Sequence, residues 1–185
     1  KRLYENRIMI NMGKLFFLIG ASGSGKTTAA KILENKRIPN LQVCYFDSIG
    51  VPSSQQMIKR HGSVDEWQLA KTIEWAKKIK DNYLQTNNVV LDGQTRPIFI
   101  EEACKKGKVD SYEIILFDCK DEIRNQRIIA RGNPELANDT MTSWANYLRK
   151  ECIERGLKVI DTSKISIEQS VSRLLAIIKR VTSNI

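Results

Sequence analysis

Gly20-Ala21-Ser22-Gly23-Ser24-Gly25-Lys26-Thr27 fits the pattern G-x-x-x-x-G-K-[ST]. It stands between the apolar run Leu15-Phe16-Phe17-Leu18-Ile19 and the helix-favouring run Thr27 to Glu34. The first run has the composition of a strand buried on both faces, and Ala29, Ala30, Ile32 and Leu33 give the second an apolar side. Strand, glycine-rich loop and helix in that order form a cradle for phosphate. The glycines let successive backbone N–H groups turn inward, and the helix adds the positive end of its dipole. Gly20, Ala21, Ser22, Gly23, Ser24, Gly25, Lys26, Thr27 and Thr28 are therefore the expected contacts of a nucleoside triphosphate. Lys26 is expected to reach the β- and γ-phosphates and the Thr27 hydroxyl to ligate Mg2+, with Thr28 a spare hydroxyl on the helix. A Gly/Ser turn preceding a lysine by chance would not explain the flanking strand and helix.

A chain of 185 residues suits one domain able to bury its own core. Its 42% apolar and 28% charged content is that of an ordinary globular protein. No apolar run approaches the roughly 20 residues that span a bilayer, and no leader-like segment opens the sequence, so the expected location is the cytoplasm, with no membrane partner. Cys44, Cys104, Cys119 and Cys152 form neither a C-x-x-C pair nor a zinc spacing and read as reduced packing thiols. The formal charge of +9 is compatible with a nucleic-acid partner, but the basic residues are dispersed rather than massed in one tract. Residues 1–12 read as a flexible or added start and 13–185 as the single domain.

Beyond the first helix the pattern alternates. Strands are expected at Leu41 to Phe46, Asn88 to Leu91, Glu113 to Phe117 and Leu157 to Ile160. Helices are expected near 54–60, 64–84, 97–106, 121–131, 141–155 and 166–181, with Ser53 as a cap and Asn133-Pro134 as a breaker. Such alternation implies an α/β fold: five parallel strands in a three-layer sandwich with helices on both faces. Ligands of such sheets lie beyond the carboxyl ends of the strands, where this chain carries the glycine loop, Asp47, Asp92-Gly93, Asp118 and Asp161.

Val89-Val90-Leu91-Asp92, an apolar strand closing on an aspartate, has the form of a Walker B element, whose carboxylate holds Mg2+. Asp47, after the second strand, is placed to position an acceptor hydroxyl and take its proton; its alternative is a turn cap for Ser48 to Val51. The single histidine, His61, lies in a polar turn. Trp67, Trp75 and Trp144 sit on helices as core or pocket walls, and Trp67 falls where an acceptor-binding helical region, about 48–86, is expected.

From Lys14 to the final helix the chain resembles the P-loop nucleoside and nucleotide kinases, the adenylate kinase-like group and related small-molecule kinases. The matches are Gly20 to Thr28, Asp47, Leu91-Asp92-Gly93-Gln94-Thr95-Arg96-Pro97, and Arg124, Arg127 and Arg131. Relatives often carry Asp-Gly-x-Pro-Arg at the third strand; here Gln94-Thr95 replaces the middle pair. The resemblance implies that Arg96 contacts an acceptor phosphate or the transferring group. It also implies that Arg127 and Arg131 close a short lid, about 131–140, over ATP, and that the backbone around Asp161-Thr162-Ser163 borders the base. For the arginines the ordinary alternative is a solvated basic stripe, since three- and four-residue spacing puts them on one helical face.

The function expected from these residues is Mg2+-ATP-dependent transfer of a γ-phosphate to a nucleotide, nucleoside or other small molecule. Lys26, Asp47, Arg127 and Arg131 would be catalytic, Asp47, Arg96 and Trp67 would bind the acceptor, and Thr27 and Asp92 would hold the metal. Two alternatives are a polynucleotide 5′-hydroxyl kinase, which would use the positive charge, and a regulatory P-loop ATPase without an acceptor.

Overall fold

The computed structural model describes residues 12–182, so the expected flexible start falls outside the described residues except for Met12. The elements run β1 (Leu15–Ile19), α1 (Lys26–Asn35), β2 (Leu41–Tyr45), a 3-10 turn (Phe46–Ile49), α2 (Ser54–His61) and α3 (Val64–Asn82). After these come β3 (Asn88–Asp92), α4 (Pro97–Gly107), β4 (Tyr112–Asp118), α5 (Asp121–Ala130) and a second 3-10 turn (Pro134–Leu136). The chain then continues through α6 (Asp139–Glu154), β5 (Lys158–Asp161) and α7 (Ile167–Thr182). All the strand pairs are parallel, in the order β2-β3-β1-β4-β5.

The alternation of β1 explains why its sequence is apolar throughout. Leu15, Phe17 and Ile19 point into one core with residues of α3, α4 and α6, whereas Phe16 and Leu18 point into a second core with α1 and α7. A strand with helices on both faces has no solvated side for polar residues. All four cysteines are buried and unpaired, and burial pushes the Cys44 and Cys152 thiols up to about 11 and Cys104 to about 12, which leaves them protonated and inert.

Most boundaries shift by a residue or two from the sequence reading, and two of the shifts have a clear local cause. β2 stops at Tyr45, because Phe46 turns inward to begin the 3-10 turn, so Asp47 lies on that turn and not at the strand tip. α6 starts two residues before Met141: Asn138 caps it, its Oδ1 accepting from the Met141 amide at 2.9 Å. Ser53 caps α2 as expected, in a reciprocal pair with Gln56. The register aligns Leu18 with Asp92 and Asp118 with Asp161, so the carboxyl ends of β3, β1, β4 and β5 form one edge. Chain connections diverge there, from β1 toward β2 and from β4 toward β5, and a crevice opens above β1.

Candidate active site

The loop between β1 and α1 takes its shape from its neighbours. Gly23 has φ of 82°, and a Cβ there would lie 2.8 Å from both Cγ and the carbonyl oxygen of Arg124 and 2.9 Å from Ile128 Cγ1. Only a residue without a side chain lets the loop lie on α5 in that conformation. Gly23→Ala is therefore expected to destabilise the fold by about 2 kcal/mol or more, lowering Tm by at least ~4 °C in a thermal melt. α1 begins after Gly25 with no side-chain cap, in contrast to α2, α3 and α6, so its first amides are left open toward the crevice.

A cleft of about 320 Å³ lies over this loop, lined by Ala21 through Thr28, Tyr45, Asp47, Asp92, Gly93, Gln94 and Arg131. Asp92 is 5% exposed, and its Oδ1 has no hydrogen-bond partner among the described residues. Burial raises its pKa; the Lys26 ammonium and the Thr27 hydroxyl beside it oppose that rise, and nearby Asp47 adds to it. A buried carboxylate with an unsatisfied oxygen, set beside a hydroxyl and facing phosphate-binding amides, suits a divalent cation that also takes oxygens from a nucleotide. No cluster of three or more His, Cys, Asp or Glu side chains occurs among the described residues, so the donor set fits Mg2+ shared with phosphates rather than an all-protein cage.

Asp47 is exposed and lines the same cleft, and its turn is held by three aromatic side chains. Phe46 is buried edge-on against Trp67, with ring centroids 6.2 Å apart, and its carbonyl accepts from Trp75 Nε1 at 3.2 Å. Gly93 lets the end of β3 approach this turn, since a Cβ there would be 2.7 Å from Phe46 Cβ. Trp67 itself is 5% exposed. It is a core side chain packed on Phe46 that supports the Asp47 turn, and it is not among the residues lining the cleft.

A second cavity of about 260 Å³ adjoins the first, sharing Gly23, Gly25, Thr28 and Arg131 and adding Arg127, Thr162, Ile165, Ile167 and Ser170. The arginines of α5 separate here. Arg124 is 1% exposed, paired with Asp121 at 2.6 Å and donating to Thr142 Oγ1 at 2.9 Å, so it is no part of a solvated stripe. Arg127 donates to Thr162 Oγ1 at 2.9 Å and to the Thr162 carbonyl at 2.8 Å. It lines the second cavity, and its Nη1 also lies 3.5 Å from the Gly23 carbonyl, so Thr162 holds the guanidinium against the phosphate loop. Arg131 is exposed and lines both cavities.

Sequence reasoning placed the Thr162 backbone beside the base but did not foresee a role for its side chain. It is 2% exposed, and its hydroxyl donates toward the Ser24 carbonyl at 3.0 Å, so one side chain joins the phosphate loop, Arg127 and the β5 exit. A hydroxyl residue directly after an apolar strand was the available signal. Arg149 was also passed over; it clamps Asp118 at 2.6 and 3.1 Å and fixes the end of β4. Arg96, expected at the acceptor, forms an ion pair with Asp65 and is not among the cleft-lining residues.

A family model described as an AAA domain matches residues 17–162. The chain belongs to that family. No curated protein sequence matches it. Among solved structures, this AAA-domain chain is similar to a sugar kinase from a Janibacter species, at 17% identity and TM-score 0.66, covering 89% of this chain and 93% of that one. It is also similar to a thymidylate kinase from Candida albicans, at 16% identity and TM-score 0.61, covering 91% and 92%. A shikimate kinase from Acinetobacter baumannii in complex with shikimate matches at 15% identity and TM-score 0.60, covering 95% and 96%. The fold is thus the one shared by P-loop nucleotide and small-molecule kinases. No helix among the described residues is long and apolar enough to cross a membrane.

Proposed function

We propose that this AAA-domain protein is an ATP-dependent phosphotransferase acting on a small molecule. The observation that carries the reading is the cleft that brings the glycine loop, Lys26 and the buried Asp92 carboxylate together with the exposed Asp47. The open amides of the loop and Lys26 would bind the β- and γ-phosphates. Thr27 and Asp92 would hold Mg2+, which neutralises charge on those phosphates. Asp47 would orient the acceptor and take its proton, and Arg131 would face the transferring group. The second cavity, between the Arg127 guanidinium and Ile165 and Ile167, suits a planar base.

Arg127→Ala should raise KM for ATP about tenfold with a smaller change in kcat, because the residue borders the base and holds Thr162 rather than the reacting atoms. Steady-state kinetics at varied ATP distinguish this from a loss confined to kcat.

The proposal is tested by incubating the protein with γ-labelled ATP and a panel of nucleosides, nucleotides, sugars and polyols, with label in the acceptor as the expected result. Steady ATP hydrolysis with no labelled product would favour a regulatory ATPase instead. The charge of +9 supports a second reading, a polynucleotide 5′-hydroxyl kinase. Labelling of a 5′-hydroxyl oligonucleotide should then fall by orders of magnitude between about 50 and 200 mM salt, whereas a small acceptor should respond weakly.

A further inference from the structure

We infer that the acceptor offers a hydroxyl group, and not a phosphate, to the transferring phosphoryl group, and that Arg96 is a strut between helices rather than an anion reader. The inference rests on the phosphotransferase reading above and narrows its substrate class. Two observations carry it, one from the cleft and one from the surroundings of Arg96.

The cations lining the cleft are Lys26 and Arg131, and both belong to the donor side, one on the phosphate loop and one at the end of α5. Apart from Asp92, which the reading above gives to the metal, the remaining polar lining is Asp47, the Tyr45 hydroxyl and Gln94. Tyr45 is already committed, donating to Glu34 at 2.8 Å. The Asp47 carboxylate has no hydrogen bond or ion pair among the described residues, so an entering group meets uncompensated negative charge. An acceptor phosphate would be repelled there, with no counter-charge on its own side. A hydroxyl fits instead: it carries the proton that a carboxylate can accept.

Arg96 is the residue that could reverse this argument, and its position removes it. Its guanidinium carbon lies 5.2 Å from the Phe99 ring centroid, 5.3 Å from Trp144 and 5.8 Å from Tyr147. Trp144 and Tyr147 stack at 5.4 Å, and Asp65 closes the enclosure with its carboxylate. These partners come from α3, α4 and α6, so one side chain at the start of α4 ties three helices together. An acceptor phosphate would compete with the Asp65 carboxylate for this guanidinium, which is not among the residues lining the cleft. The Gly93-to-Arg96 segment is also fixed to α3, by Gln68 Nε2 donating to the Gln94 carbonyl at 2.8 Å and by the buried Thr72–Thr95 contact at 3.3 Å.

In the transfer so described, the acceptor oxygen forms a bond to the γ-phosphorus. The bond from that phosphorus to the β,γ-bridging oxygen breaks, with its electron pair leaving on ADP. The hydroxyl proton passes to the Asp47 carboxylate. The products are ADP and a phosphate monoester of the acceptor.

The test uses the whole protein with γ-labelled ATP, comparing nucleosides, sugars and polyols with AMP and dTMP, the products being identified by mass. The expected result is transfer to at least one hydroxyl compound, at a rate tenfold or more above any conversion of AMP or dTMP to a diphosphate. Preferential formation of a nucleoside diphosphate would overturn the inference while leaving the protein a phosphotransferase. Consumption of ATP with label only in free phosphate, whatever is offered, would overturn the phosphotransferase reading and this inference with it. Asp65→Asn releases Arg96 from its carboxylate; the expected result is a lower melting temperature with acceptor preference unchanged. A tenfold gain in monophosphate conversion by that variant would show Arg96 to be a masked phosphate reader and overturn its role as a strut.

Discussion

Replacing Lys26 with alanine is expected to lower phosphoryl transfer by about 10²- to 10³-fold, the effect of removing one preorganised charge from a transition state that is mostly electrostatic. Lys26 is the first residue of α1 and lines the cleft, and its ammonium makes no hydrogen bond or ion pair among the described residues. Its removal therefore takes nothing from the core, and alanine is the best helix former at the vacated position. Circular dichroism and Tm should stay close to those of the parent while turnover of labelled ATP collapses. Undiminished turnover in Lys26→Ala would sink the assignment of the loop as the donor site.

The second large effect runs in opposite directions for activity and stability. Asp92→Asn should reduce transfer about 10²-fold by removing the carboxylate expected at the metal, yet raise Tm of the nucleotide-free protein by about 2–4 °C, the equivalent of ~1 kcal/mol. Asp92 is buried, and its pKa is raised chiefly by burial, so the folded state binds its proton more tightly than the unfolded chain does. Stability contributed by this group therefore falls as pH rises from the ordinary carboxylate range through the raised value. Asparagine carries no charge to bury. The advantage of the variant should accordingly grow as pH rises from the ordinary carboxylate range through the raised value, and vanish below that ordinary range. Melts across pH without nucleotide would measure it, and an Asp92→Asn protein less stable than the parent at pH 7 would refute the account.

Those two residues were legible in the sequence for the same reason that β1 was: local pattern and chemistry coincide there. Leu15 to Ile19 must be apolar at every position because cores lie on both sides, and a glycine loop followed by Lys-Thr has few other uses in that setting. Trp67 and Arg127 were read only in part, because their roles depend on partners distant in sequence. Trp67 packs against Phe46, 21 positions earlier, and Arg127 is held by Thr162, 35 positions later. Spacing along a helix says which residues share a face; it does not say what that face meets. Arg124 makes the point within one helix: three residues from Arg127, it is wholly buried and bonded to α6.

The aromatic support of the Asp47 turn has an optical consequence. The chain contains three tryptophans. Trp67 packs on Phe46 and Trp75 donates to the Phe46 carbonyl, so two of the three indoles adjoin the turn that carries Asp47, while Trp144 stacks beside Arg96. A change in the seating of that turn is thus expected to register in the intrinsic emission of the protein, without any attached dye.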